Sequence, residues 1–150
     1  MKKTGMRLRR GLQTCALSAL SRGHLPIHTA WNPYVVKQVR EAGFFAARSI
    51  ERGINDGRAN PLLLRAQAVR EEHSAGHVIS WITDAIKTGG WLILYFHQIE
   101  PASILRERKW IYGSTPEVLQ EILAFLKKEN STVLTVEKGM EFLVANTLAR

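Results

Sequence analysis

Residues 89–100, GGWLILYFHQIE, set one imidazole, His97, directly after six apolar or aromatic residues. In an open position an imidazole exchanges a proton near neutral pH, because its ordinary pKa is about 6.5. There it can act as a general acid on a leaving group or as a general base on an attacking one. In a closed position it would be a core histidine held by a backbone hydrogen bond. The remaining histidines carry less. His73 and His77 are four apart in EEHSAGH, and so are His24 and His28. That spacing brings two nitrogens to one face only inside a helix. Ser74 reads as a helix cap, which leaves His73 outside, and no glutamate stands between the two as in HExxH. Residues 73–77 therefore read as a solvated helix start. Cys15 is the one cysteine, so the chain has no internal disulfide, no CxxC and no Cys/His zinc pattern.

The elements that must position His97 are marked by caps and periodicity. Asn32 reads as an N-cap with Pro33 at the first helical position. Val35, Val36 and Val39 give that helix an apolar face, and Gly43 ends it. FFAARSI reads as a short buried strand, residues 51–62 as a loop, and LLRAQAV as a second short strand. Ser74 caps a helix carrying Val78, Ile82, Ala85 and Ile86 at helical spacing, stopped by Gly89 and Gly90. WLILYFH is apolar on both faces, the mark of a parallel strand covered by helices or of a barrel strand. Ser114 and Glu117 read as a capping box for a helix with core positions Leu119, Ile122, Leu123 and Leu126. STVLTV is a strand and EKGMEFLVANTL a last helix. This alternation predicts an α/β fold with parallel strands. In such folds chemistry gathers at the carboxyl ends of the strands, and His97 stands at one.

Charge is divided unevenly. Of the 21 Lys and Arg, eight precede residue 41 and no acid does. The other thirteen match the 13 acids, so the net +8 belongs to the first forty residues. A chain that binds nucleic acid through a uniformly basic surface would not look like this, and no nucleic-acid partner is expected. The start, MKKTGMRLRRGLQTCALSALSRGH, is basic, but its apolar stretch is only CALSAL. A secretory signal needs about 7–15 apolar residues, so a signal is not expected and the compartment, cytoplasmic or secreted, stays open. No apolar run approaches the roughly 20 residues of a membrane span. Residues 1–29 read as an irregular basic leader and 30–150 as one domain with enough length to bury a core.

Three blocks occur in order: AWNPYVVKQVREAGFFAARSIERGIN, HVISWITDAIKTGGWLILYFHQIE and YGSTPEVLQEILAFLKKENSTVLTVEKGMEFL. Together they resemble the C-terminal half of a polysaccharide deacetylase domain, the NodB-homology family, over roughly residues 30–145. The resemblance implies a partial distorted (β/α) barrel. It also implies hydrolysis of acetyl groups from N-acetylated sugars or acetylated polysaccharides, so the partner it implies is an acetylated polysaccharide or chitooligosaccharide. The family uses a divalent metal, usually zinc, to polarise the acetyl carbonyl and a water. An aspartate serves as its general base, and a late histidine as its general acid. His97 matches that histidine. Tyr95 stands two residues earlier, where the family commonly has an apolar residue lining the acetate pocket. By the same resemblance Trp110 and Tyr112 lie in a loop flanking the sugar groove, placed to stack on a sugar ring.

Two family motifs are not in the chain. There is no Asp-Asp-Gly type sequence, no Asp-Asp pair at all, and no metal-binding helix with its histidines. Where an Arg and a Pro-Tyr-Gly turn would fall, the chain reads LPIHTAWN, with Pro26 and no Tyr-Gly. The expectation is a truncated deacetylase-like protein with no cofactor of its own and no activity alone, its leader coming from a shifted reading frame. The alternative is a non-catalytic module that binds carbohydrate or associates with another chain. A half barrel leaves strand edges unpaired, which predicts self-association. Trp81 and Trp91 read as core, and LRERKW as a charged loop.

Overall fold

The computed structural model describes residues 14–17, 24–26 and 31–148. In chain order the elements are β1 (Thr14–Leu17), β2 (His24–Pro26), α1 (Pro33–Glu41), β3 (Ala46–Arg48), a 3₁₀ turn (Pro61–Leu63) and β4 (Gln67–Val69). Then follow α2 (Ala75–Thr88), β5 (Trp91–Phe96), β6 (Gln98–Ile99), α3 (Ala102–Glu107), β7 (Gly113–Ser114), α4 (Pro116–Lys128), β8 (Thr132–Val133) and α5 (Val136–Leu148). Helices and strands are mixed. One sheet has the order β4-β5-β1-β8, and β2-β3 and β6-β7 form two smaller pairs. Every strand pair is parallel. The described strands do not close into a barrel: the larger sheet stops at β4 and β8, and β3 reaches the segment before β4 through a single bridge, Arg48 to Leu64.

The leader expected to be irregular contributes two of these strands. β1 lies inside the sheet, pairing with β5 from Thr14–Trp91 to Leu17–Leu94 and with β8 at Thr14–Thr132. Four residues, TCAL, show no period of their own. Pairing on both sides is what defines them, and that information is not local.

β5 explains its own composition. Leu92 and Leu94 face Val78, Ile82 and Ala85 of α2 and Ile122 and Leu126 of α4. Trp91 and Ile93 face Leu64, Ala46 and, from α5, Val136 and Met140. A strand covered on both faces is apolar at every position. Trp91 is fully buried, as expected; Trp81 is half-buried at the margin of the first cluster. Gly89 closes α2 in the left-handed region, φ 63°, where a residue with a Cβ is strained.

Three local expectations shift. The cap of α4 is Thr115, whose hydroxyl accepts the Val118 N–H at 3.4 Å, and not Ser114. Ser114 is taken up by the β6-β7 pair opposite Ile99, which moves the helix start one residue on. The buried stripe of α4 turns with it: Val118, Ile122, Phe125 and Leu126 pack inward, while Leu123 is 41% exposed. LRERKW is not all loop, because α3 runs through Glu107, anchored by the fully buried Leu105. Among the described residues no helix is long and apolar enough to cross a membrane.

Candidate functional site

β4 and β5 run parallel with Val69 opposite Phe96. Arg70 and His97 are therefore the next residues in register, each one step past the end of its strand. Arg48 ends β3. Three carboxyl ends thus deliver two guanidiniums and an imidazole to one edge, the edge where parallel α/β sheets keep their chemistry.

The side chains there form a continuous arc. The Arg48 Cζ lies 4.1 Å from the centre of the Tyr95 ring. The Tyr95 and His97 rings meet edge-on at 5.6 Å between centres. His97 and Tyr112 do the same at 5.4 Å. The Arg70 Cζ lies 4.8 Å from the centre of the Tyr112 ring. His97 is exposed and Tyr95 half-buried. Tyr112, just before β7, is 44% exposed. Tilted ring pairs and guanidinium-over-ring contacts are both favourable geometries, and each adds to holding the arc together.

Its electrostatics are lopsided. Burial pulls the Arg48 guanidinium below its ordinary pKa, with Tyr95 acting in the opposite direction. No described carboxylate makes an ion pair with Arg48, and its Nε is buried with no hydrogen-bond partner among the described residues. Arg70 has a loose pair with the exposed Glu72 at 3.9 Å, and its Nε is likewise buried and unpartnered among the described residues. Behind it, the Arg70 N–H donates to His73 Nδ1 at 3.1 Å.

His73 is not solvated, as the sequence had suggested, but 6% exposed. It sits against His77 at 5.1 Å and Trp81 at 4.9 Å between ring centres. It does stand outside α2, which Ser74 caps through the His77 N–H at 3.2 Å. The Arg70 bond and the Trp81 ring draw it inward. Burial, foremost, holds its pKa below the usual histidine value; Glu72 acts against this, while His77 reinforces it.

Of the residues singled out from sequence, Tyr95, His97 and Tyr112 are brought together. Trp110 is not in the arc: its ring lies under Arg108 at 4.7 Å, and its N–H closes the end of α3 on the Leu105 carbonyl at 3.0 Å. Arg48 and Arg70 were missed, although each stands at a strand terminus as His97 does. A divalent metal does not fit this arc. Two guanidiniums flank its one imidazole, and a catalytic metal wants about three anionic or neutral donors. Among the described residues no three His, Cys, Asp or Glu gather as ligands.

A cleft of about 400 Å³ opens elsewhere, around the segment between β3 and β4. Glu51, Asn55, Asp56, Arg58 and Arg65 are among its lining residues. Its Asp56 and Arg58 satisfy each other at 3.0 Å, and it offers no histidine or cysteine. The arc is the better candidate because it joins an exposed imidazole to two guanidiniums, of which Arg48 has no ion pair with a described carboxylate. The chain matches no family model, no curated protein and no solved structure.

Proposed function

We propose that the chain is a polysaccharide deacetylase-like protein whose arc at the carboxyl ends of β3, β4 and β5 receives an acetylated sugar, and that it does not hydrolyse that sugar alone. The observation that carries this reading is the exposed imidazole of His97 held between the rings of Tyr95 and Tyr112 at 5.6 and 5.4 Å. Each tyrosine carries a guanidinium over one ring face, so a pyranose would meet the ring surface left exposed, and an imidazole between the rings can give a proton to a leaving nitrogen or oxygen. The open parallel sheet with β2-β3 beside it is the shape that an incomplete (β/α) barrel would present. The resemblance over residues 30–145 supplies the family and assigns His97 the general-acid role. The missing metal and base motifs supply the inactivity, since a lone general acid contributes about 10²–10⁴-fold and cannot replace an activated water.

The experiment combines binding and turnover. Purified full chain is titrated with N-acetylchitotetraose while the His97 imidazole is followed by NMR, and acetate release is assayed with zinc or cobalt added. The expected result is a saturable His97 shift, lost in Tyr112→Ala, with acetate release at the background rate. Release above background would overturn the inactivity, and an unmoved His97 signal at high sugar would overturn the sugar site.

A further inference from the structure

The arc holds more positive charge than a neutral sugar needs. Arg48 is half-buried, is paired with no described carboxylate, and keeps a buried Nε without a partner among the described residues. Burying an unmatched charge is costly, and a buried guanidinium normally has a carboxylate or phosphate beside it. The segments at 18–23 and 27–30 cannot supply a side-chain carboxylate, because the first acid of the chain is Glu41. Arg70 repeats the pattern at the other end: a buried Nε unpartnered among the described residues, a guanidinium face on Tyr112, and one loose, exposed partner in Glu72. Each guanidinium lies over a tyrosine, which presents a flat fork suited to a planar, two-oxygen acceptor.

Resting on the reading of the arc as a sugar site, we propose that its ligand is an acidic sugar: a uronate-containing oligosaccharide that sets one carboxylate on Arg48 and another on Arg70, at the two ends of the arc, while its rings lie along Tyr95 and Tyr112. A carboxylate is planar and matches the guanidinium fork two bonds at a time. The pyranose carrying it places that group beside a hydrophobic ring face, which the two tyrosines complement. The net +8 of the chain adds a long-range attraction for a polyanion.

The test uses the full chain in isothermal titration with three probes at low salt: tetragalacturonate, N-acetylchitotetraose and inorganic phosphate. Tetragalacturonate is expected to bind about ten-fold tighter than the neutral tetramer, the preference weakening as salt rises. Arg48→Gln is expected to bring the acidic oligosaccharide down to the neutral level, and Arg70→Gln to do so in part. Arg48→Lys, which keeps the charge but loses the fork, should retain an intermediate preference and serves if the glutamine variant fails to fold. Equal affinity for the two tetramers overturns the acidic-sugar assignment and leaves the sugar site standing. Phosphate binding as tight as tetragalacturonate, lost in Arg48→Gln, identifies a bare anion site and also overturns it. Binding of no probe removes both the acidic-sugar assignment and the sugar site.

Discussion

At its amino end β5 is tied down by Asn55, and at its carboxyl end it opens onto Arg48, Arg70, His97 and two tyrosines. The Trp91 N–H donates to the Asn55 carbonyl at 2.7 Å, and the Asn55 N–H returns to the Trp91 carbonyl at 2.8 Å. The Asn55 amide then gives Nδ2–H bonds to the Arg65 and Trp91 carbonyls at 2.9 and 3.2 Å and accepts the Arg65 N–H at 2.9 Å. That side chain is 1% exposed and uses both of its polar atoms. Beside the carboxyl end of β5, polar atoms are left over instead: the Nε of Arg48 and of Arg70 have no partner among the described residues. One end of the strand spends its polar groups on holding the fold, and at the other, two buried guanidinium nitrogens have no partner among the described residues. The contrast teaches where to look for a ligand in a parallel sheet: at the end where buried polar atoms lack a partner among the described residues.

The contrast breaks if the amino end proves dispensable. Asn55→Ala removes three side-chain hydrogen bonds and leaves the part-buried Arg65 N–H without that acceptor. A loss of about 2–4 kcal/mol is expected in urea unfolding, and a loss under about 1 kcal/mol would contradict the role given to Asn55. Next in size is Gly139→Ala in α5. A Cβ there would lie 2.3 Å from Cζ2 of Trp91, which is fully buried and has no room to turn. Overpacking of about 1–3 kcal/mol outweighs the roughly 1 kcal/mol that alanine gains in a helix, so a net loss of about 1–2 kcal/mol is expected in the same assay. A stabilised variant would mean that α5 does not seat on Trp91.

The sequence already held the helix caps, the β5 run and the aromatic part of the arc, but neither its two arginines nor the role of Asn55. Asn32, Ser74, Gly89 and the run 91–96 announced their elements because a cap, a stop and a two-sided apolar strand are local signals. Thr115 was mistaken for its neighbour Ser114, since both can cap and only the β6-β7 pairing decides between them. β1 was invisible because TCAL means something only between β5 and β8. His97 was legible as a polar residue ending an apolar run. Arg48 and Arg70 were not, because an arginine after a strand of three residues looks like any surface arginine until the register sets Arg70 level with His97.

A smaller effect sharpens the contrast through pH. His73 lies behind Arg70 with its folded pKa held below the ordinary 6.5. Between those two values the unfolded chain binds more protons than the folded one, so stability rises with pH through that window. The contribution is complete above about 6.5 and is lost as pH falls toward the folded pKa. Protonation also ends the acceptance of the Arg70 N–H by Nδ1, so the turn that carries Arg70 loosens. Urea midpoints at pH 7.5 and 5.5 should therefore fall for the native chain and fall less for His73→Gln. Equal slopes for the two would show that His73 is not the titrating group in that range.

The smallest expected change in stability is the most telling about the carboxyl end. His97 is exposed and makes edge-on contacts with two half-exposed tyrosines, so its replacement is expected to shift stability by no more than about 1 kcal/mol. His97→Ala should therefore unfold in urea within that margin of the native chain, while the ring that meets Tyr95 and Tyr112 is gone. If the imidazole serves a ligand, sugar affinity measured by titration falls in this variant although the fold is unchanged. Asn55→Ala, kept below its unfolding midpoint, should show the reverse: weakened stability with affinity retained. A His97→Ala chain destabilised as much as Asn55→Ala would make the imidazole a structural strut, and the two ends of β5 would then differ in appearance but not in kind.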